Sequence, residues 1–108
     1  MKEVTAKSYT LYTDNGGWLG QVVLTSDGMF ASVTDYGNFS YAWRAYSGTF
    51  EEFIIGLNVD YFASKMVQGM AYIAHSRAIE KSCQRFAEKI LPALQEALKL
   101  ELQQKEQQ

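Results

Sequence analysis

Four β-compatible runs open this chain and three helical patterns close it. Val4 to Thr13 alternates Ala6, Ser8, Thr10 and Tyr12 with Lys7, Tyr9 and Leu11, and Trp18 to Thr25 is rich in Val and Leu. Met29 to Asp35 and Phe39 to Arg44 complete the set. Asp14-Asn15-Gly16-Gly17 has the composition of a flexible turn. Asp27-Gly28 and Gly37-Asn38 reach positive-φ conformations at little steric cost, so each can reverse a strand within two residues. Connections this short predict a four-stranded antiparallel meander. After Arg44 the period changes. Thr49-Phe50-Glu51-Glu52 is a capping-box pattern, and Phe50, Phe53, Ile54 and Leu57 follow on one face of a short helix. Asn58 or Asp60 can cap a second helix with Val59, Phe62, Ala63 and Met66 inward and Gly69 as its stop. Residues 70–75 fit no single pattern. Ser76 can then open a long helix with Ile79, Cys83, Phe86, Ile90, Leu94 and Ala97 along one side. Pro92 falls inside it and predicts a kink or a restart, because the ring removes a backbone donor and crowds the preceding turn.

Two-residue loops would fix which side chains share a sheet face, since side chains alternate along a strand and hairpin partners point the same way. One face then collects Val22, Leu24, Met29, Ala31, Val33 and Ala42. The other collects Phe30, Tyr36, Phe39, Tyr41 and Trp43, interleaved with Gln21, Thr25, Ser32 and Thr34. The first set, small and apolar, suits close approach of helices and is assigned to the core. The aromatic set, mixed with hydroxyls, is assigned to a working surface, because an unpaired hydroxyl in an apolar layer costs about 1–3 kcal/mol. The alternative is that the aromatics form the core, since Phe and Trp bury more area than other side chains. A three-residue loop at Tyr36 to Asn38 would change the register of the last strand.

The predicted fold is therefore α+β: the meander, two short helices and one long C-terminal helix packed on one sheet face. A single domain is expected over residues 1–102, with a frayed tail at 103–108 that has nothing to bury. At 108 residues, 47% hydrophobic and 20% charged, the chain can bury a modest core. Its net charge of −2 gives no global reason to seek nucleic acid, whose binding depends on neutralising phosphates. One cysteine forms no intrachain disulfide, and with one histidine the chain lacks the ligand cluster of a structural zinc site. The opening MKEVTAKSY has no apolar run of signal-peptide length, and no window approaches the roughly 20 apolar residues of a membrane span. A soluble, unprocessed protein of a reducing cytoplasm is expected.

Catalytic motifs are missing: no Gly-rich phosphate loop, no GxSxG elbow and no His-Glu metalloprotease pair. His75 and Cys83 lie eight residues apart, about 12 Å along a helix axis and too far for a hydrogen-bonded dyad. Cys83 shares a face with Ile79, Phe86 and Ile90 and reads as a buried, inert thiol. No catalytic residue, metal or cofactor is assigned. Two surfaces stand out instead. The aromatic face (Phe30, Tyr36, Phe39, Tyr41 and Trp43) resembles in character the sheet surfaces that bind single-stranded nucleic acid or a partner protein. Arg77, Lys81, Arg85 and Lys89, spaced four apart, form a basic ridge along the long helix, interrupted by Glu80, Gln84 and Glu88 and so also compatible with a plain solvated face.

The run LTSDGMFASVTDYGNFSYAWR followed by FEEFIIGLNVDYFASKM resembles small proteins encoded by bacteriophages and mobile elements, over roughly residues 20–95. That resemblance implies an accessory protein made in a bacterial host cell, of a class that often binds host proteins, defence nucleases among them. The expectation is a non-enzymatic inhibitor or adaptor whose partner is a host protein, with a single-stranded nucleic-acid binder as the alternative and the oligomeric state left open.

Overall fold

A computed structural model of the protein describes residues 1–70 and 76–106. His75 and the unassigned stretch 71–75 lie outside the described residues, as do 107 and 108. Four strands, β1 (Ala6–Tyr12), β2 (Trp18–Thr25), β3 (Met29–Thr34) and β4 (Ser40–Ala42), form one antiparallel sheet in the order β1-β2-β3-β4. Helices α1 (Phe50–Ile55), α2 (Val59–Gln68) and α3 (Arg77–Glu106) follow, and α3 packs on the sheet. The protein is α+β, with the meander and helix order that the hydrophobic pattern predicts.

The helix termini follow the local sequence. Thr49 and Glu52 form both bonds of the capping box on α1, and the Asn58 side chain accepts from the Tyr61 N–H at the start of α2. The C-terminal carbonyls of α1 are satisfied from elsewhere: the Gln95 amide of α3 donates to Ile54, Ile55 and Leu57 oxygens at 3.0, 3.1 and 2.8 Å. The last helix, α3, is continuous from Arg77 to Glu106. The helix runs through Pro92 without restarting, the proline lying on its exposed side. It also continues past Leu102 to Glu106 as a solvent-exposed end.

The register of the sheet departs from the expected one, and this decides which face is the core. Leu24 pairs with Phe30 and Val22 with Ser32, so the β2–β3 loop spans three residues, Ser26 to Gly28. Gly28 takes the positive φ, +99°, that closes such a loop, and the Thr25 hydroxyl accepts from the Met29 N–H at 2.9 Å. One extra loop residue flips β3 relative to β2. The next reversal falls on Asp35-Tyr36 rather than Gly37-Asn38, with Thr34 bridging Gly37 and Phe30 pairing with Tyr41.

Val22, Leu24, Phe30 and Trp43 consequently lie together beneath the helices, at 0, 1, 0 and 5% exposure. The assignment of the aromatic face to the surface is thus corrected: it is the core. Phe30 meets Phe62 edge-on at 5.2 Å, Phe39 lies 4.5 Å from Phe86, and Trp43 stacks on Phe62 at 6.1 Å. The objection drawn from hydroxyls fails because both are satisfied by the next turn. Ser32 Oγ donates to the Phe39 carbonyl at 2.9 Å and Thr34 Oγ1 to the Gly37 carbonyl at 2.7 Å.

Met29, Ala31, Val33 and Ala42, expected inside, stand on the outer face. There Ala6 pairs with Thr25 and Met29 with Ala42; the next row is Ser8, Val23, Ala31 and Ser40. Thr10, Gln21 and Val33 form a third row, and Tyr12 opposite Trp18 closes the face at one end.

Candidate interaction surface

The buried stripe of α3, namely Cys83, Phe86, Ala87, Ile90, Leu91, Leu94 and Leu98, turns the opposite side of the helix to solvent. Arg77, Lys81, Arg85 and Lys89 are all exposed there. Among the described residues none of the four is in an ion pair. Arg77 occupies the first turn of α3, where the helix dipole disfavours positive charge, so its charge does not serve the helix.

The turn between β3 and β4 brings Tyr36 against this ridge. Its N–H donates to Thr34 Oγ1 at 3.0 Å, and the Arg85 guanidinium sits 5.3 Å from the centre of its ring. Beyond Tyr36 and Lys89, a cleft of about 630 Å³ opens between the far end of the β1–β2 hairpin and α3. Leu11 and Leu19 are buried at its sheet side, while Ala93 and Ala97 line the helix side with Glu96 at the rim. The cleft offers an apolar seat beside a cationic group.

Of the residues singled out in the sequence, the structure joins Tyr36, Arg85 and Lys89 in one surface, with Lys81 and Arg77 further along the same helix. Phe30 and Trp43 belong to the core. Phe39 and Tyr41 are half-buried against it, so the base-stacking platform loses its exposed rings. Tyr41 instead packs on Trp43 at 4.7 Å, and the Lys65 ammonium lies 5.5 Å from its ring and 5.4 Å from that of Tyr61. Trp43 Nε1 donates to the Tyr61 hydroxyl at 3.1 Å. The sequence hinted at this cluster only through the four-residue spacing of Tyr61 and Lys65 on α2.

Other titratable groups are occupied structurally. Lys7 donates to Glu101 Oε1 at 2.7 Å, and Lys105 lies 3.5 Å from the same oxygen. The hydrogen bond to Glu101 raises the Lys7 ammonium, and the same bond holds the Glu101 carboxyl below its ordinary range. Burial, with Glu101 nearby, pushes the Tyr9 phenol up; its hydroxyl has no hydrogen-bond partner among the described residues. Burial also raises the Cys83 thiol, which keeps it in the unreactive protonated form. No group of three or more His, Cys, Asp or Glu among the described residues could hold a metal ion. No helix among them is long and apolar enough to cross a membrane.

A small α+β protein with a charged helix face over an apolar cleft defines the class on geometry alone. The sequence model of a phage protein family, Phage_phiTE_072, matches residues 1–83, and the chain belongs to that family. The match spans the whole sheet, α1, α2 and the first turns of α3, including Arg77 and Lys81. Comparison with curated proteins and with solved structures returned no match.

Proposed function

We propose that this phage-family protein is a non-enzymatic binding protein of the bacterial cytoplasm, an inhibitor or adaptor whose α3 ridge docks on an acidic surface of a host protein. A defence nuclease is one kind of host protein that fits the phage origin. The observation that carries the reading is the row Arg77, Lys81, Arg85 and Lys89, exposed, without ion pairs among the described residues, and ending at Tyr36 and the cleft. Cations left unpaired on one face supply steering and partner choice, and an adjoining apolar seat supplies an anchor point.

The test compares the wild-type chain with a Lys81→Glu, Arg85→Glu, Lys89→Glu variant, both tagged and expressed in the bacterial host. The wild type is expected to retain a host protein that high salt releases, and the variant to lose it while keeping the same circular dichroism spectrum. Retention of the same protein by the folded variant, or retention of nucleic acid alone, would overturn the reading.

A further inference from the structure

We propose that β1 is a docking edge to which a partner adds an extended peptide segment, its alternate apolar side chains entering the cleft beside α3. The sheet has two edges, and only one of them is closed. β4 has three residues, and Gly69 at the end of α2 lies so near the Ser40 carbonyl that an added Cβ would overlap it. β1 has seven residues, no proline, a bulge only at its Leu11–Tyr12 end, and one charge, Lys7, which bonds Glu101. It thus lacks most of the devices that blunt an edge strand. The Ser26 N–H donates to the Thr5 carbonyl at 2.8 Å, so by alternation along the register Lys7, Tyr9 and Leu11 exchange bonds with Leu24, Val22 and Gly20. The N–H and C=O of Ala6, Ser8 and Thr10 therefore point away from β2. All three residues are exposed, and no group among the described residues bonds these atoms.

The edge and the cleft together select the occupant. Donors and acceptors alternating at strand spacing are complementary in charge to another extended backbone, and so to a polypeptide strand. The cleft reaches this edge with Thr10 and Leu11 on its sheet wall and Ala97 and Leu100 on its helix wall, Leu100 being 50% exposed. Side chains of an added strand alternate in direction, so those on the helix side beside Leu11 enter the cleft. A second copy cannot supply them from its own β1, whose helix-side chains are engaged: Lys7 bonds Glu101, Tyr9 packs against the core and Leu11 is 3% exposed. A free segment with apolar residues at alternate positions carries no such commitment. Its main chain supplies affinity at the edge, and its apolar side chains supply selectivity in the cleft. The inference rests on the binding role proposed above and adds the form of the partner's contact.

The probe is a displayed library of random peptides about ten residues long, selected on the full chain, with the selected peptides synthesised and titrated by fluorescence anisotropy. They are expected to alternate apolar and polar residues, to bind with dissociation constants of about 1–100 µM, and to slow amide exchange at Ser8 and Thr10. Thr10→Pro removes an outward N–H at an edge position that tolerates proline, and Leu100→Glu charges the helix wall of the cleft. Each is expected to weaken binding by about tenfold or more with unchanged circular dichroism, while Arg77→Glu binds like the wild type. Because no host protein is present, the outcome is independent of the capture test of the ridge. A library that yields no peptide, selected peptides without alternation, unchanged exchange at Ser8 and Thr10, equal binding by either folded variant, or a wild type whose β1 edge pairs with that of a second copy would overturn it.

Discussion

The two faces of the sheet are built from neighbouring residues of the same strands, yet they do opposite work. On the inner face Phe30 and Trp43 are held among Phe62, Phe86, Phe50 and Phe53, and Trp43 Nε1 and the Ser32 and Thr34 hydroxyls are bonded to the chain itself, the Tyr9 hydroxyl being left without a partner among the described residues. On the outer face small residues, Val33 and Met29 lie open. Small apolar composition therefore does not identify a core. What identifies it is whether large side chains find partners and whether hydroxyls find acceptors within the fold.

The largest effect should come from the inner face. Trp43→Ala removes a ring stacked on Phe62 and is expected to lower unfolding free energy by about 3–5 kcal/mol, measured by urea denaturation. Gly28→Ala strikes at the register that separates the faces. Gly28 holds φ +99°, and an added Cβ would overlap the Trp43 carbonyl. The conformation alone costs about 1–3 kcal/mol, and the overlap adds to it, so the thermal midpoint should fall markedly. Thr34→Val sharpens the account of the hydroxyls. It removes the bond to the Gly37 carbonyl and leaves the Tyr36 N–H without its acceptor, for an expected loss of about 1–2 kcal/mol. A neutral result would mean that hydroxyl satisfaction does not hold the turn.

The smallest of these effects concerns Lys7, the one strand charge, which strand alternation places on the helix side and which bonds Glu101 there. A carboxyl held below its ordinary range contributes stability that is present above its unfolded pKa, about 4.3, and is lost as pH falls through the folded value. The raised Lys7 ammonium contributes below its own unfolded pKa and loses that only in strong alkali. Wild type should therefore exceed Glu101→Gln by about 0.2–1 kcal/mol at pH 7, the range for a partly solvent-screened pair, and the gap should close below about pH 4. Denaturation of both proteins at the two pH values checks this.

Element order was legible because periodicity and capping act over a few residues: Thr49 and Glu52 announce α1, Asn58 announces α2, and turn residues separate the strands. Register was not, because Asp27-Gly28 serves equally as a two-residue turn and as the end of a three-residue loop. Only the Thr25 hydroxyl and the burial of Phe30 decide between them. Ser32 and Thr34 looked unfit for a core because their acceptors, the Phe39 and Gly37 carbonyls, emerge only once the Asp35-Tyr36 turn is formed. The basic ridge could be read from spacing on one helix. Its meeting with Tyr36 and the cleft could not, since these depend on how α3 lies across the end of the β1–β2 hairpin.

The division between faces is tested most directly by urea unfolding of Phe30→Ala and Val33→Ala side by side, at a protein concentration low enough to exclude self-association. Both positions lie on β3, three residues apart, and differ in the face they occupy. Phe30→Ala is expected to lose about 3–5 kcal/mol and Val33→Ala less than about 1 kcal/mol. Equal losses, or a larger one at Val33, would contradict the assignment of the aromatic face to the core.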